Sequence, residues 1–315
     1  MTEPEEDVEP SSMPGRAEDR FEEVVVPPSK TPLFQATHAA RYQRQALIQE
    51  LQKETGRKLI CYVAGSAAPV EREDTVAVVD LLHNLPAEHD LDLLMHTGGG
   101  DTDAAEKIIT MVRTKVGNAK LRVVVPDFAK SAGTLMALGA DAIVMSDSSE
   151  LGPIDPQIIL ADGKGNRIRH SIQSHLDAYD EHTTTLAANP GNVAAQIMLG
   201  KLDPGTIRLF RAARERSRQV GEELLKRGMF KASGNWSQTV TELLDTKRWL
   251  SHSQMISWQD AQDPTIGLTV EYLAPEERVW QLYWQLHCLQ RIAVRDREKI
   301  FESDFVSLVI ESSSQ

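Results

Sequence analysis

The stretch from residue 58 to residue 147 restricts the fold more than any other part of the sequence. It alternates short apolar runs with amphipathic ones. "KLICYVAG" reads as a buried strand, and "EDTVAVVDLLHNL" as a helix with Val78, Leu81, Leu82 and Leu85 inward. "LDLLMHT" is a second strand, followed by "GGG" and the helix "DTDAAEKIITMVRTK". "LRVVVP" is a third strand, "SAGTLMALGA" a short buried helix, and "DAIVMSD" a fourth strand. Strands that are apolar throughout, joined by helices, predict a largely parallel sheet covered on both faces. The fold class expected is therefore α/β.

The flanking segments read differently. Residues 1–35 hold nine acidic against three basic residues and six prolines, a composition that buries too little apolar surface to order itself. They are expected to form a disordered acidic tail, with a single domain over 36–315. "THAARYQRQALIQELQKETGRK" predicts a helix closed by Gly56. Residues 160–205 are polar, with a helix expected near "SIQSHLDAYDEH". A long amphipathic helix is expected from Thr206 to Met229, with Ile207, Phe210, Val220, Leu224 and Leu225 on or near one stripe. "GLTVEYL" reads as a closing strand. "PEERVWQLYWQLHCLQRIA" reads as a C-terminal helix whose Trp280, Tyr283, Trp284 and Leu286 suit packing on a second subunit or on the domain itself.

Charge and composition exclude several function classes. The formal net charge of −12 disfavours nucleic acid or an anionic membrane surface as partner, and the tail supplies about half of it. Cys61 and Cys288 are too few and too far apart for a disulfide framework, and no spacing among the nine histidines suggests a metal site. No metal or cofactor is expected. The longest apolar stretch, 132–145, is too short to span a bilayer, and the acidic start is unlike a signal peptide, so the cytoplasm is the expected location. "IRLFRAARERSRQ" is basic but lies among acids on one helix, as a solvated face does.

Two turns carry the chemistry. Gly98, Gly99 and Gly100 lie between a strand and a helix, where bare backbone lets an N–H approach an anion or an oxyanion; a tight turn alone would look the same. Ser131 opens a helix after a strand. It reads either as an N-cap or as a nucleophile whose following amide, that of Ala132, donates to an oxyanion. Composition leaves both readings open.

The long motifs "LDLLMHTGGGDTDAAEKI" and "VVVPDFAKSAGTLMALGADAIVMSDSSELGPIDPQ" resemble the serine dehydrogenase proteinase family, soluble relatives of the Clp protease proteolytic subunit and of signal peptide peptidase A. The resemblance runs over roughly residues 57–305. It implies a Clp protease/crotonase-like fold, Ser131 as nucleophile, and the amides of Gly99 and Ala132 as oxyanion hole. It also implies a peptide or protein substrate and a homo-oligomer. One departure stands out: Gly98 occupies the position where the family usually has proline.

The general base stays open at the level of sequence. Clp relatives place a histidine near where this chain has Asp155, so their triad does not carry over. Peptidase A relatives use a downstream lysine, a role that Lys201 roughly suits. His252 falls near the third triad position of the Clp relatives, and His170 is a further candidate. Lys130, adjacent to the serine, is expected to point away. His96 precedes the glycines and reaches the site only if it faces Ser131. The expected activity is a serine peptidase. A non-catalytic oligomeric scaffold and a crotonase-type acyl-CoA enzyme are the alternatives.

Overall fold

The computed structural model describes residues 31–161, 167–232 and 234–313. The chain divides into two units, Met1–Ala39 and Ala40–Gln315. In the first, α1 (Pro32–Thr37) starts inside the span expected to be tail. Thr31 caps it by accepting from the Phe34 amide, and proline occupies its first turn, where a missing N–H costs nothing. The rest of the expected acidic tail, residues 1–30, lies outside the described residues.

Next come α2 (Ala39–Thr55), β1 (Lys58–Ala64), α3 (Asp74–His83), β2 (Leu91–His96), α4 (Thr102–Val116), β3 (Leu121–Val124), β4 (Phe128–Ala129), α5 (Ala132–Leu138) and β5 (Ala142–Met145). They are followed by β6 (Glu150–Leu151), the antiparallel pair β7 (Gln157–Ala161) and β8 (Arg167–Ser171), α6 (Ile172–Ala188), α7 (Val193–Leu199) and α8 (Pro204–Arg227). The chain ends with α9 (Trp236–Leu244), α10 (Trp258–Gln262), β9 (Val270–Tyr272), α11 (Arg278–Ala293), β10 (Glu298–Glu302) and β11 (Ser307–Glu311).

The main sheet has the order β11-β10-β1-β2-β3-β5-β9. Its body, β1 to β9, is parallel, and β10 and β11 add an antiparallel edge. Side-chain alternation divides the core in two. Ile60, Tyr62, Leu93, Met95 and Val123 face α3, α4, α5, α8 and α9. Leu59, Cys61, Val63, Leu94 and Val124 face α2 and α11. Trp280, Tyr283 and Leu286 of α11 are buried in this second layer, so three of the four residues expected to pack there do so within the domain. Trp284 stays 40% exposed. A satellite cluster joins Ile172 and Leu176 of α6 to Ile207 and Phe210 of α8. Among the described residues no helix is long and apolar enough to cross a membrane.

The strands missed by sequence reading have a physical reason for hiding. In β10 the inward positions include Lys299 and Glu302, which are buried because each finds a partner. Lys299 Nζ lies 2.7 Å from Glu71 and 2.6 Å from Asp74, and Glu302 holds Arg44 at 2.9 Å. Charges pointing inward erase the apolar alternation that marks a strand. The β7–β8 pair falls in the stretch read only as polar.

Asp141 fixes the connection from α5 to β5. It accepts from the Leu121 amide at 2.8 Å, pairs with Arg113 at 2.8 Å and with Lys231 at 3.0 Å. Burial works to raise its carboxyl, but that amide and the two cations outweigh it and hold the group below the usual range. A depressed carboxylate stabilises the fold above its unfolded value of about 3.9, and the contribution is lost as pH falls through the folded value. Asp141→Asn should therefore lower the thermal midpoint at pH 7, with the deficit shrinking on acidification below about pH 4. A deficit that stays constant between neutral and acid pH would remove the charge from this account.

Candidate active site

Two turns meet at the carboxyl ends of β2 and β3. Thr97, just after β2, donates its amide to the Phe128 carbonyl at 3.1 Å, and its carbonyl accepts from the Lys130 amide at 3.0 Å. This short parallel bridge lays the glycine turn 98–100 against the turn that carries Ser131. Asp101 then starts α4, accepting from the Ala104 amide at 2.7 Å. The glycines are not equivalent. A Cβ on Gly99, which has φ +96°, would stand 2.7 Å from both the Lys130 carbonyl oxygen and the Ser131 Cβ. A Cβ on Gly98 would meet nothing within 4 Å, so the family's proline position is neither crowded nor strained here. Gly133 is small because the Thr97 methyl occupies the space its Cβ would need, 2.6 Å away.

Ser131 has φ +54° and ψ −115°. An N-cap residue adopts extended backbone and lends its oxygen to the first turn. Ser131 does neither: its side chain makes no cap bond, and its hydroxyl is not hydrogen-bonded to any described residue. A side-chain-bearing residue in this region costs about 1–3 kcal/mol, and such strain persists only where the surroundings over-determine it. The Ala132 amide, next along, is likewise without a hydrogen bond among the described residues. The Gly99 amide is engaged, donating to Thr97 Oγ1 at 3.1 Å.

Lys130 points away from the serine. Its ammonium donates to Glu150 at 2.8 Å and to the carbonyls of Leu151 and Gln254 at 3.0 and 3.3 Å. With three donors on three acceptors, it is a clamp that ties segments 150–152 and 254–256 to the serine turn. Thr134 adds to the clamp, donating to the carbonyls of Ala129 and Gly152. Leu151 and Ile256 close it with paired backbone bonds of 2.9 and 3.0 Å.

Beyond each end of that clamp lies one member of an acid–imidazole pair. His252 Nδ1 stands 2.7 Å from Asp155 Oδ1, both side chains mostly buried. The other Asp155 oxygen accepts from Ser171 at 3.0 Å. An imidazole whose Nδ1–H is held by a carboxylate presents Nε2 as a proton acceptor, and His252 Nε2 has no partner among the described residues. The structure thus joins His252 to Asp155, and it shows no hydrogen bond between His252 and Ser131.

The other candidates lie elsewhere. Lys201 is exposed in the turn between α7 and α8, with no ion pair among the described residues. His170 sits in β8, its ring 5.5 Å from that of His175. His96 is buried on the α11 side of the sheet, its ring tilted against that of Phe128 at 4.0 Å between ring centres. Asp155 as the partner of His252 escaped sequence reading. Its place beside the resemblance's histidine position was the one available signal.

Residues 68–198 match a family model described as ClpP-like SDH-type serine proteinase. Two uncharacterized proteins of Methanocaldococcus jannaschii are similar. One is 30% identical over 216 residues, 68% of this chain and 65% of the relative. The other is 32% identical over 126 residues, 37% of this chain and 42% of the relative. The chain therefore spans less than two thirds of either relative's length. Among solved structures, ClpP1 from Listeria monocytogenes is 12% identical, with 70% of this chain and 95% of that chain covered and a TM-score of 0.36. A membrane protease specific for a stomatin homolog, from Pyrococcus horikoshii, is 17% identical, with 73% and 98% covered and a TM-score of 0.23.

The glycine geometry separates two substitutions that look alike in sequence. Gly98→Ala should melt at or slightly above the unsubstituted protein, since the position is open and the unfolded chain loses freedom. Gly99→Ala should cost about 2 kcal/mol or more, because its Cβ meets backbone at a positive φ. Equal thermal midpoints for the two variants would contradict this packing.

Proposed function

We propose that the chain is a serine peptidase that works through an acyl-enzyme on Ser131, with His252 as general base and Asp155 as the group that orients it. What carries the reading is the strained, unbonded Ser131 hydroxyl on a turn clamped to both segments of the Asp155–His252 pair. His252 Nε2 takes the hydroxyl proton as Ser131 Oγ bonds to the peptide carbonyl carbon. The tetrahedral oxygen is received by the Ala132 N–H and by the Gly99 N–H once the latter leaves Thr97 Oγ1. His252 then gives its proton to the departing amine, and water, activated by the same nitrogen, releases the acyl group. Asp155 keeps the proton on Nδ1 and stabilises the imidazolium formed in each half-reaction. Substrate binding draws His252 and Ser131 into contact, as catalytic hydrogen bonds that are loose in the free enzyme tighten in the complex.

The substrate proposed is an extended peptide segment, no cofactor takes part, and the cytoplasm is the proposed location. Trp284, the exposed aromatic of α11, is open to a second copy in the proposed homo-oligomer. The non-catalytic scaffold is a second reading with its own support, the engaged Gly99 amide and the unjoined Ser131–His252 pair.

Fluorophosphonate labelling and hydrolysis of an unstructured protein test the proposal together. Ser131→Ala should abolish labelling and lower hydrolysis about a thousandfold or more, and His252→Ala should do nearly as much. Asp155→Asn should fall between these and the unsubstituted protein, and Lys201→Ala should match the latter. If the folded protein takes up no probe from neutral to mildly alkaline pH, the scaffold reading replaces this one.

A further inference from the structure

On the α11 side of the sheet, behind the two turns, three side chains converge with nothing to hold them. His96 ends β2, Asp127 lies in the link between β3 and β4, and His287 projects from α11. One ligand atom from each lies within 4.8 Å of the others, the one such group among the described residues. His96 Nδ1 is 3.5 Å and His287 Nε2 3.9 Å from Asp127 Oδ2. These are too long for N–H···O bonds, which cluster near 2.9 Å. None of the three side chains makes a hydrogen bond to a described residue. His96 is 1% exposed and His287 3%, and each has a buried Nδ1 without a partner. A buried polar atom left unpaired costs about 1–3 kcal/mol, so the His96 Nδ1 that faces Asp127 needs an explanation.

The geometry points to a divalent transition-metal site, of the zinc class, held by His96, Asp127 and His287. Ligands of a tetrahedral zinc ion, each at about 2.0–2.2 Å, stand about 3.3–3.5 Å from one another. The two separations to Asp127, 3.5 and 3.9 Å, are close to that, and the atoms, all within 4.8 Å of one another, must draw together to bind an ion. Two imidazoles and a carboxylate suit zinc, cobalt and nickel, and no thiolate is present to favour softer ions. Burial, with His287 and Arg291 adding to it, pushes His96 down to about 2, and burial with Arg291 pushes His287 down to about 4. Burial and Glu150 raise the Asp127 carboxyl against the pull of Arg291 and Lys130. A cation bound there relieves that repulsion.

Arg291 is the opposing charge. Its guanidinium is committed to the Ala64 carbonyl at 2.9 Å, and it sets the affinity to moderate rather than tight. Asp127, 38% exposed in its side chain, opens the path by which an ion enters and leaves room for water as the fourth ligand. The role is positional. His96 immediately precedes Thr97 of the glycine turn, and Asp127 lies four residues before Ser131. A metal here would pin both turns to α11 from beneath, without touching the serine.

Cobalt substitution reads the site independently of any activity, so it stands or falls apart from the peptidase proposal. The chelator-stripped full chain is titrated with Co²⁺ and then challenged with Zn²⁺. One equivalent of Co²⁺ should give the intense visible d–d bands of a low-coordinate nitrogen–oxygen site, and Zn²⁺ should displace it. Zn²⁺ at about a hundredfold over its Kd should raise the thermal midpoint by about 4 °C. The bands should vanish in His287→Gln and Asp127→Asn and persist in His83→Gln, which alters an exposed histidine of α3. Circular dichroism identifies any variant that fails to fold, and the spectrum and stoichiometry of the unsubstituted chain then decide alone. Substoichiometric binding without d–d bands, or bands retained in folded His287→Gln and Asp127→Asn, would overturn the assignment.

Discussion

Thr97 holds the site together. Its amide and carbonyl lock the glycine turn to the serine turn, its hydroxyl takes the Gly99 amide, and its methyl fills the space vacated by Gly133. Tyr62 of β1 donates its hydroxyl to Asp74 at 2.9 Å, and Asp74 is held by the buried Lys299. The link from that buried ion pair to the glycine turn runs through the backbone, since Glu71, which pairs with Lys299, follows Val70. A network like this is secure only when every member is satisfied, since a buried charge that loses its partner costs several kcal/mol. That requirement explains why charged residues occupy the inside of β10. They anchor the segment after β1, where Val70 pairs with both Gly99 and Asp101.

The strain at Ser131 follows from the same frame. Its neighbours on both sides are fixed: Lys130 by backbone and side chain, and Ala132 by the start of a helix buried throughout its length. With both ends held, the serine has no room to relax into extended backbone, so its side chain projects from the turn instead of folding back onto it. A capping serine would need the opposite, an extended backbone with its oxygen turned toward the helix. Ser131 has neither, so capping does not account for it.

How much of this could be read from the sequence depended on distance along the chain. The body of the sheet was legible because each strand announces itself locally, and the long motif drew attention to the turn that carries Ser131. The antiparallel edge was not, because Lys299 and Glu302 turn inward to partners more than 200 residues away. The Asp155–His252 pair is joined across 97 residues, and no local pattern encodes such a contact. His96, Asp127 and His287 come from a strand end, a link and a distant helix, so they share no ligand spacing of the kind that marks a metal site in sequence. The absence of such spacing led to the expectation of no metal. Spacing tests only ligands that are near in sequence.

The pairing of Asp155 with His252 also bears on what a resemblance can transfer. The relatives' pattern puts an imidazole where this chain has a carboxylate, and read position by position that removes the base. What proton transfer needs is a relation, an imidazole with one nitrogen fixed by a carboxylate and the other free. Two segments clamped by Lys130 can supply that relation with either residue on either segment, provided the free nitrogen reaches the serine. In this chain the Lys130 clamp holds both segments, the one that leads to Asp155 and the one that follows His252.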